Sequence, residues 1–182
     1  MKILITGNPN YSGLCKGLSR VLETYDVTFI SRSLGYDLSD IHNVTKYAAN
    51  YDVLINSTNI PNDGQLILLD SVYDSWTQGH IINVSTTSVY WNNKNNLEYY
   101  NSKLKLEERS KQLSNRSIED NKKVKVSCVA FGQLDTESQR SRNDGRNKID
   151  LEVAAQYVKF LIDLPKNVNI NYLCIDPIQK LS

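Results

Sequence analysis

Two residues four positions apart, Tyr99 and Lys103, carry the most specific chemistry this sequence offers. Four residues is about one helical turn, so on a helix the phenol and the ammonium share a face. A cation beside a phenol favours the phenolate and lowers its pKa. Such a tyrosine exchanges protons with an alcohol or a ketone near neutral pH. Just upstream, the apolar run Ile81-Ile82-Asn83-Val84 ends in a hydroxyl cluster, Ser85-Thr86-Thr87-Ser88. A hydroxyl at that strand end can hold the reacting oxygen. The plainer reading is a half-solvated helix face beside ordinary turn chemistry.

The elements that would position these groups alternate between strand and helix. Lys2 to Ile5 is a short, nearly continuous apolar strand, as expected for one buried on both faces of a parallel sheet. A turn with Gly7 and Gly13 leads into a helix reaching about Thr24. Val27 to Ile30 is the second strand, and Ser31-Arg32-Ser33 follows. Asp37 to Asp40 can cap a helix over Ile41 to Ala49. Tyr51 to Ile55 is counted as the fourth strand and Ile81 to Ser88 as the fifth, with a helix from Gln65 to Gln78 between them. Trp91 to Asn96 is a polar loop. Leu97 to about Leu113 is the Tyr99 helix, with Lys105, Glu107, Glu108, Arg109 and Lys111 as a solvated face of local ion pairs. Asn115 to Lys123 reads as a loop. A strand from Val124, a charged loop from Glu137 to Lys148 with Arg140, Arg142 and Arg146, a helix to Leu164 and a last strand, Tyr172 to Ile175, complete the chain. Alternation of this kind predicts an α/β fold, a doubly wound parallel sheet flanked by helices, in one domain over residues 1–182.

Composition narrows the function classes. The chain has 182 residues, 40% apolar and 23% charged, with a net charge of +1. That balance argues against nucleic acid or an anionic membrane as the main partner, and no apolar run is long enough to span a bilayer. The start of the chain lacks a signal peptide's apolar segment, which points to a cytoplasmic protein. Cys15, Cys128 and Cys174 have neither metal-ligand nor redox spacing. The latter two read as reduced core thiols within strands. With two histidines, His42 and His80, no metal site is expected.

The motifs together resemble the short-chain dehydrogenase/reductase family over nearly the whole chain. Tyr99-Tyr100-Asn101-Ser102-Lys103 fits that family's Tyr-x-x-Ser-Lys, and Thr86 stands thirteen positions before Tyr99, where the family's catalytic serine lies. Thr6-Gly7-Asn8-Pro9-Asn10-Tyr11-Ser12-Gly13 resembles the glycine turn in the strand–turn–helix context of a dinucleotide site. Two alignments are open: one without a gap, keeping Gly7 and Gly13, and one with a two-residue insertion, matching Gly13 and Cys15 to the last two glycines. In each, one glycine is lost. Asp37-Leu38-Ser39-Asp40 is similar to the segment against the adenine, and Asn56-Ser57-Thr58-Asn59 to the family's Asn-Asn-Ala-Gly. Gly132 and Thr136 keep the spacing of the strand-end Pro-Gly-x-x-x-Thr motif, with Phe131 replacing the proline. Leu164-Pro165-Lys166-Asn167-Val168-Asn169-Ile170-Asn171 resembles a string in the classical branch that oxidises short 3-hydroxy acids such as serine with NADP.

The resemblance implies a shortened member whose reaction is hydride transfer between a nicotinamide and a small carbonyl or hydroxy substrate. Tyr99 would be general acid/base, Thr86 would bond the substrate oxygen, and Lys103 would lower the tyrosine pKa and hold the nicotinamide ribose. Gly7, Asn10, Tyr11, Ser12 and Gly13 would face the pyrophosphate. Arg32, with Ser31 and Ser33, selects NADP (NADPH) over NAD, because a guanidinium fork suits the 2′-phosphate. Asp37, Leu38, Asn56 and Ser57 would border the cofactor, and Gly132, Leu134 and Thr136 its carboxamide end. The three loop arginines can bind a substrate carboxylate. The family's relay asparagine has no counterpart in the short Gln65–Gln78 helix. The family's usual assembly is a homodimer or homotetramer. The competing reading is a catalytically degenerate dinucleotide-binding sensor or scaffold.

Overall fold

The computed structural model describes residues 1–11, 13–90, 96–141 and 145–178; Ser12, Arg142 and most of the Trp91–Asn96 loop fall outside the described residues. Six strands form one parallel sheet: β1 (Lys2–Thr6), β2 (Asp26–Ile30), β3 (Val53–Asn56), β4 (Gln78–Thr86), β5 (Lys123–Phe131) and β6 (Tyr172–Ile175), in the spatial order β2-β1-β3-β4-β5-β6. The α/β expectation therefore holds, with one strand fewer than the sequence count. Tyr51–Ile55 contributes the third strand and Ile81–Ser88 the fourth. Among the described residues between β2 and β3 lies only a 3-10 turn (Arg32–Leu34) and a helix, α2 (Ile41–Ala48).

The core follows the period of the strands. Ile3 and Ile5 face one side of β1 and Leu4 the other, and all three are fully buried. On the first side pack α1 (Leu14–Val21) and α6 (Leu151–Ile162), the helix that follows the one-turn α5 (Glu137–Arg140); they are pressed together at Gly17, where an added Cβ would lie 2.1 Å from the Leu151 carbonyl oxygen. On the second side lie α2, α3 (Gly64–Ser75) and α4 (Leu97–Glu119), around Leu68, Leu69, Tyr73 and Leu106. A sheet covered on both faces explains the unbroken apolar strands.

Tertiary contacts lengthen α4 beyond the predicted Leu113. Residues 115–119, read as loop, continue the helix to Glu119. Ser114 Oγ donates to Asn171 Oδ1, Arg116 pairs with Asp120, and Asp120 accepts from the Tyr73 hydroxyl. The helix stops at Asn121, whose φ of 50° is a left-handed conformation that asparagine tolerates. The Asn169-Ile170-Asn171 string seats the last strand. Asn169 Nδ2 donates to the Val126 carbonyl, and the Asn171 carbonyl accepts from Cys128 N.

Two expectations about side chains are corrected here. Cys174 is exposed, because β6 is the sheet edge and the thiol lies on its open face; Cys128 is buried as expected. Glu107 does not belong to a solvated face. It is fully buried against β4. Its neighbours Lys105 and Arg109 pair across to α3 and the residue before it, Asp70 and Asp63 respectively accepting from Arg109 and Lys105. Among the described residues no helix is long and apolar enough to cross a membrane.

Candidate active site

The chain runs from β1 outward to β2 and then returns to β3 on the other side, so the sheet's switch point lies between β1 and β3. Ligands of open α/β sheets bind in the crevice beyond the carboxyl ends of the strands at such a point. A cleft of about 870 Å³ opens there. It is lined by Gly13 and Leu14 from the first turn, Ser57 and Asn59 after β3, and Thr86 at the end of β4. Tyr99 and Lys103 of α4, Gly132, Leu134 and Thr136 after β5, and Arg146 complete it. Thus the three residues assigned to catalysis and five others assigned to the cofactor, Gly13, Ser57, Gly132, Leu134 and Thr136, meet at one surface.

Thr86 ends β4 half-buried, and its Oγ1 donates to Ser88 Oγ at 3.1 Å and accepts from Ser88 N. Tyr99 begins α4 after Asn96, whose side chain caps the helix by accepting from Tyr99 N. Lys103, one turn on, is 4% exposed. Its Nζ lies 5.7 Å from the Tyr99 ring centroid and donates to Gln65 Oε1 at 2.7 Å and the Val84 carbonyl at 2.9 Å.

Burial governs the titration of both groups in this geometry. It pushes the Tyr99 phenol up, with Tyr100 adding to the effect. The ammonium gives two of its three donors to Gln65 and a carbonyl. Burial also pulls Lys103 down to about 8, with Cys128 and Glu107 opposing that fall. A desolvated ammonium gives up its proton more readily, and a desolvated phenol holds its own more tightly.

Gln65 is the functional residue that sequence reading passed over. It is buried at the start of α3, where Nε2 donates to the carbonyls of Asn56 and Val84 while Oε1 accepts from Lys103. Asn56 donates through Nδ2 to the Gln65 carbonyl and to Asn83 Oδ1, so it ties β3 to β4 and α3 beneath the cleft and does not line it. The only signal in the sequence was one polar residue directly before the apolar run Leu66-Ile67-Leu68-Leu69 of that helix.

The turn after β1 is built on Gly7 and Asn8. Gly7 has φ of 146° and donates its N–H to the Ile30 carbonyl. Asn8 Oδ1 accepts from Asn10 N, closing a side-chain turn, and Tyr11 is exposed. Space beside Gly7 is filled by Cys15, since a Cβ there would lie 2.3 Å from Sγ. Beside Gly13 it is open, with nothing within 4 Å of an added Cβ. Backbone N–H groups at a helix start with no side chain in front of them suit a phosphate. Ser57 Oγ donates to the Thr6 carbonyl, which binds this turn to β3.

Arg32, Ser31 and Ser33 stand at the end of β2, outside the cleft lining but joined to the glycine turn by a 2.7 Å hydrogen bond from Asn8 Nδ2 to Ser33 Oγ. Asp37 is exposed and accepts from Ser39, which holds its carboxyl below the usual range, with a smaller contribution from Arg32. Leu38 turns into the core beside Ile30 and Val44. Of the loop arginines, Arg140 is engaged in a two-pronged pair with Asp135, whereas Arg146 lines the cleft.

No family model matches the chain, and no curated protein does. Solved structures do. A serine dehydrogenase from Escherichia coli is 17% identical, with a TM-score of 0.69 over 96% of this chain and 97% of that one. A 3-ketoacyl-(acyl-carrier-protein) reductase from Brucella melitensis in complex with NADH is 15% identical, with a TM-score of 0.75 over 96% of each chain. A short-chain dehydrogenase from Burkholderia cenocepacia in complex with NADP is 17% identical, with a TM-score of 0.73 over 96% of this chain and 95% of that one. The chain has the fold of the short-chain dehydrogenases/reductases.

Proposed function

We propose that the protein is an NADP-dependent oxidoreductase of the short-chain dehydrogenase/reductase family, acting on a carbonyl or secondary alcohol of a small substrate. The observation that carries this reading is the meeting of Thr86, Tyr99 and Lys103 with Gly132, Leu134 and Thr136 at one cleft over the sheet's switch point. The bound dinucleotide supplies or accepts the hydride. Tyr99 exchanges the proton at the substrate oxygen, and Thr86 Oγ1 bonds the same oxygen. Burial raises the Tyr99 pKa; the protonated phenol is the form that donates to the oxygen of a carbonyl being reduced, and the same group takes the proton back in the reverse direction.

The residues present fit the cofactor. Open backbone beside Gly13 takes the phosphates, Lys103 is the cation facing the ribose, and Arg32 with Ser31 and Ser33 takes a 2′-phosphate. Arg146 marks the substrate end and suits a carboxylate. Self-assembly as a homodimer or homotetramer belongs to the same reading; light scattering on the purified protein tests it.

The second reading, a dinucleotide-binding sensor, is favoured by one observation: the Lys103 ammonium is bonded to Gln65 and the Val84 carbonyl, beneath a Tyr99 phenol whose pKa burial raises. Titration of NADPH and NADH followed by fluorescence, then a screen of aldehydes, ketones and 3-hydroxy acids, separates the two. NADPH binding with turnover supports the enzyme. NADPH binding without turnover of any such substrate supports the sensor. Absence of binding by either nucleotide overturns both.

A further inference from the structure

Tyr99, Lys103 and Glu107 recur every fourth residue along α4, so they form one stripe. The third member was expected in solvent and is fully buried. Glu107 Oε1 accepts from Ser85 Oγ at 2.6 Å, and Oε2 accepts from the Tyr90 hydroxyl at 2.5 Å. Tyr90 in turn meets the Tyr172 hydroxyl at 3.0 Å. Two O–H donors on separate oxygens are what an ionised carboxylate takes, since it has acceptors only. The buried Lys103 ammonium, by contrast, donates to two neutral oxygens, from Gln65 and Val84. Neither carries a compensating charge.

We propose that Glu107 is a positioning residue whose carboxylate keeps the buried Lys103 ammonium protonated and so able to grip hydroxyl groups of a ligand in the cleft. The inference rests on the functional reading above for its consequence, but not for its electrostatics. Among the described residues, one further carboxylate lines the same cleft, Asp176, which accepts from Thr87 Oγ1 at 2.7 Å; the other titratable groups around the pair are these. From β5 comes Cys128, whose thiol burial pushes up and keeps neutral. From the turn after β4 comes Tyr90, and from β6 come Tyr172 and Cys174. All three are raised, burial being the leading cause in each. On α4 itself are Tyr99, also raised, and Lys111, a cation set over the Tyr172 ring at 4.3 Å. Gln65 is the partner from α3 and is uncharged. Cys128 and then Glu107 oppose the fall that burial imposes on Lys103, and the neutral thiol leaves the carboxylate as the charge of the two.

The test compares the unmutated protein with Glu107→Gln and Glu107→Asp. Lysine labelled with carbon-13 at Cε reports the Lys103 titration by NMR in the free protein, assigned with Lys103→Arg. Loss of one charge about a turn away is expected to lower the Lys103 midpoint by roughly one pH unit or more, and Glu107→Asp is expected to restore most of it. The alkaline limit of NADPH binding is expected to move by the same amount. An unchanged Lys103 midpoint in Glu107→Gln overturns the proposal, whatever happens to stability. Should that variant not fold, carboxyl NMR of the unmutated protein decides: an ionised Glu107 at pH 7 supports the counter-charge, and a protonated one overturns it. Failure of NADPH to bind the unmutated protein overturns the functional reading, while the Lys103 titration still decides this one.

Discussion

Lys103 Nζ, at the wall of the cleft, donates at 2.7 Å to Oε1 of Gln65, which is buried beneath it. Gln65 therefore does two things at once: it orients the ammonium and satisfies the carbonyls of Asn56 and Val84. Gln65→Leu keeps the bulk and removes every polar contact. It should destabilise the fold by about 1–3 kcal/mol through unpaired buried groups. NADPH affinity should also fall, because Lys103 loses its fixed direction. Chemical denaturation and nucleotide titration measure the two effects separately.

Tyr99→Phe removes only the proton-exchanging hydroxyl. Turnover should drop roughly 10²–10⁴-fold, the usual worth of a positioned acid or base. NADPH binding should stay within a few-fold of the unmutated protein. A variant that retained turnover would remove Tyr99 from its assigned role.

Arg32→Glu tests nucleotide choice. The guanidinium stands at the end of β2 with the Ser31 and Ser33 hydroxyls 3.0 Å apart beside it. Exchanging it for a carboxylate should weaken NADPH by about 10-fold or more, the value of a charge-assisted pair at 1.5–3 kcal/mol. NADH should be much less affected. Equal loss of both would place Arg32 outside the nucleotide site.

His80 predicts an acid limit to stability. It is buried in β4 with Nε2 2.8 Å from Ser127 Oγ. Burial, helped by Lys125, lowers its pKa from 6.5 to about 3. Above 6.5 the ring is neutral in both folded and unfolded chains, and no linkage arises. As pH falls from 6.5 toward 3 the unfolded chain takes up a proton that the folded one refuses, so stability is lost through that window. The total is a few kcal/mol, at about 1.4 kcal/mol per pH unit. His80→Gln should flatten the stability–pH slope in this range, as read from urea midpoints.

Gly17→Ala probes the α1–α6 contact. A Cβ at Gly17 would lie 2.1 Å from the Leu151 carbonyl oxygen and 2.7 Å from its carbon, both backbone atoms. The helices must separate, and the cost should exceed the gain in helix propensity, for a net loss of about 1–3 kcal/mol. A thermal melt would show it.

Local pattern was enough for the architecture and for the outline of the site. Apolar runs such as Ile3-Leu4-Ile5, the glycine turn and the four-residue spacing of Tyr99 and Lys103 are short-range signals, and the sheet assembled as they implied. The resemblance to the short-chain dehydrogenases/reductases also implied that Thr86 and Thr136 share a cleft with Tyr99, and they line the same one. What tertiary structure decided was the charge state and burial of polar groups. Glu107 sits in a run that reads as solvated, yet β4 closes over it. Lys103, placed beside Tyr99 by its spacing, is also bonded to Gln65, a residue 38 positions away that no local pattern connects to it. The count of strands also failed from sequence, because the stretch between β2 and β3 folds as a turn and a helix. Side-chain period determines which face a residue takes; the electrostatics of a buried polar group depend on partners that only folding brings within reach.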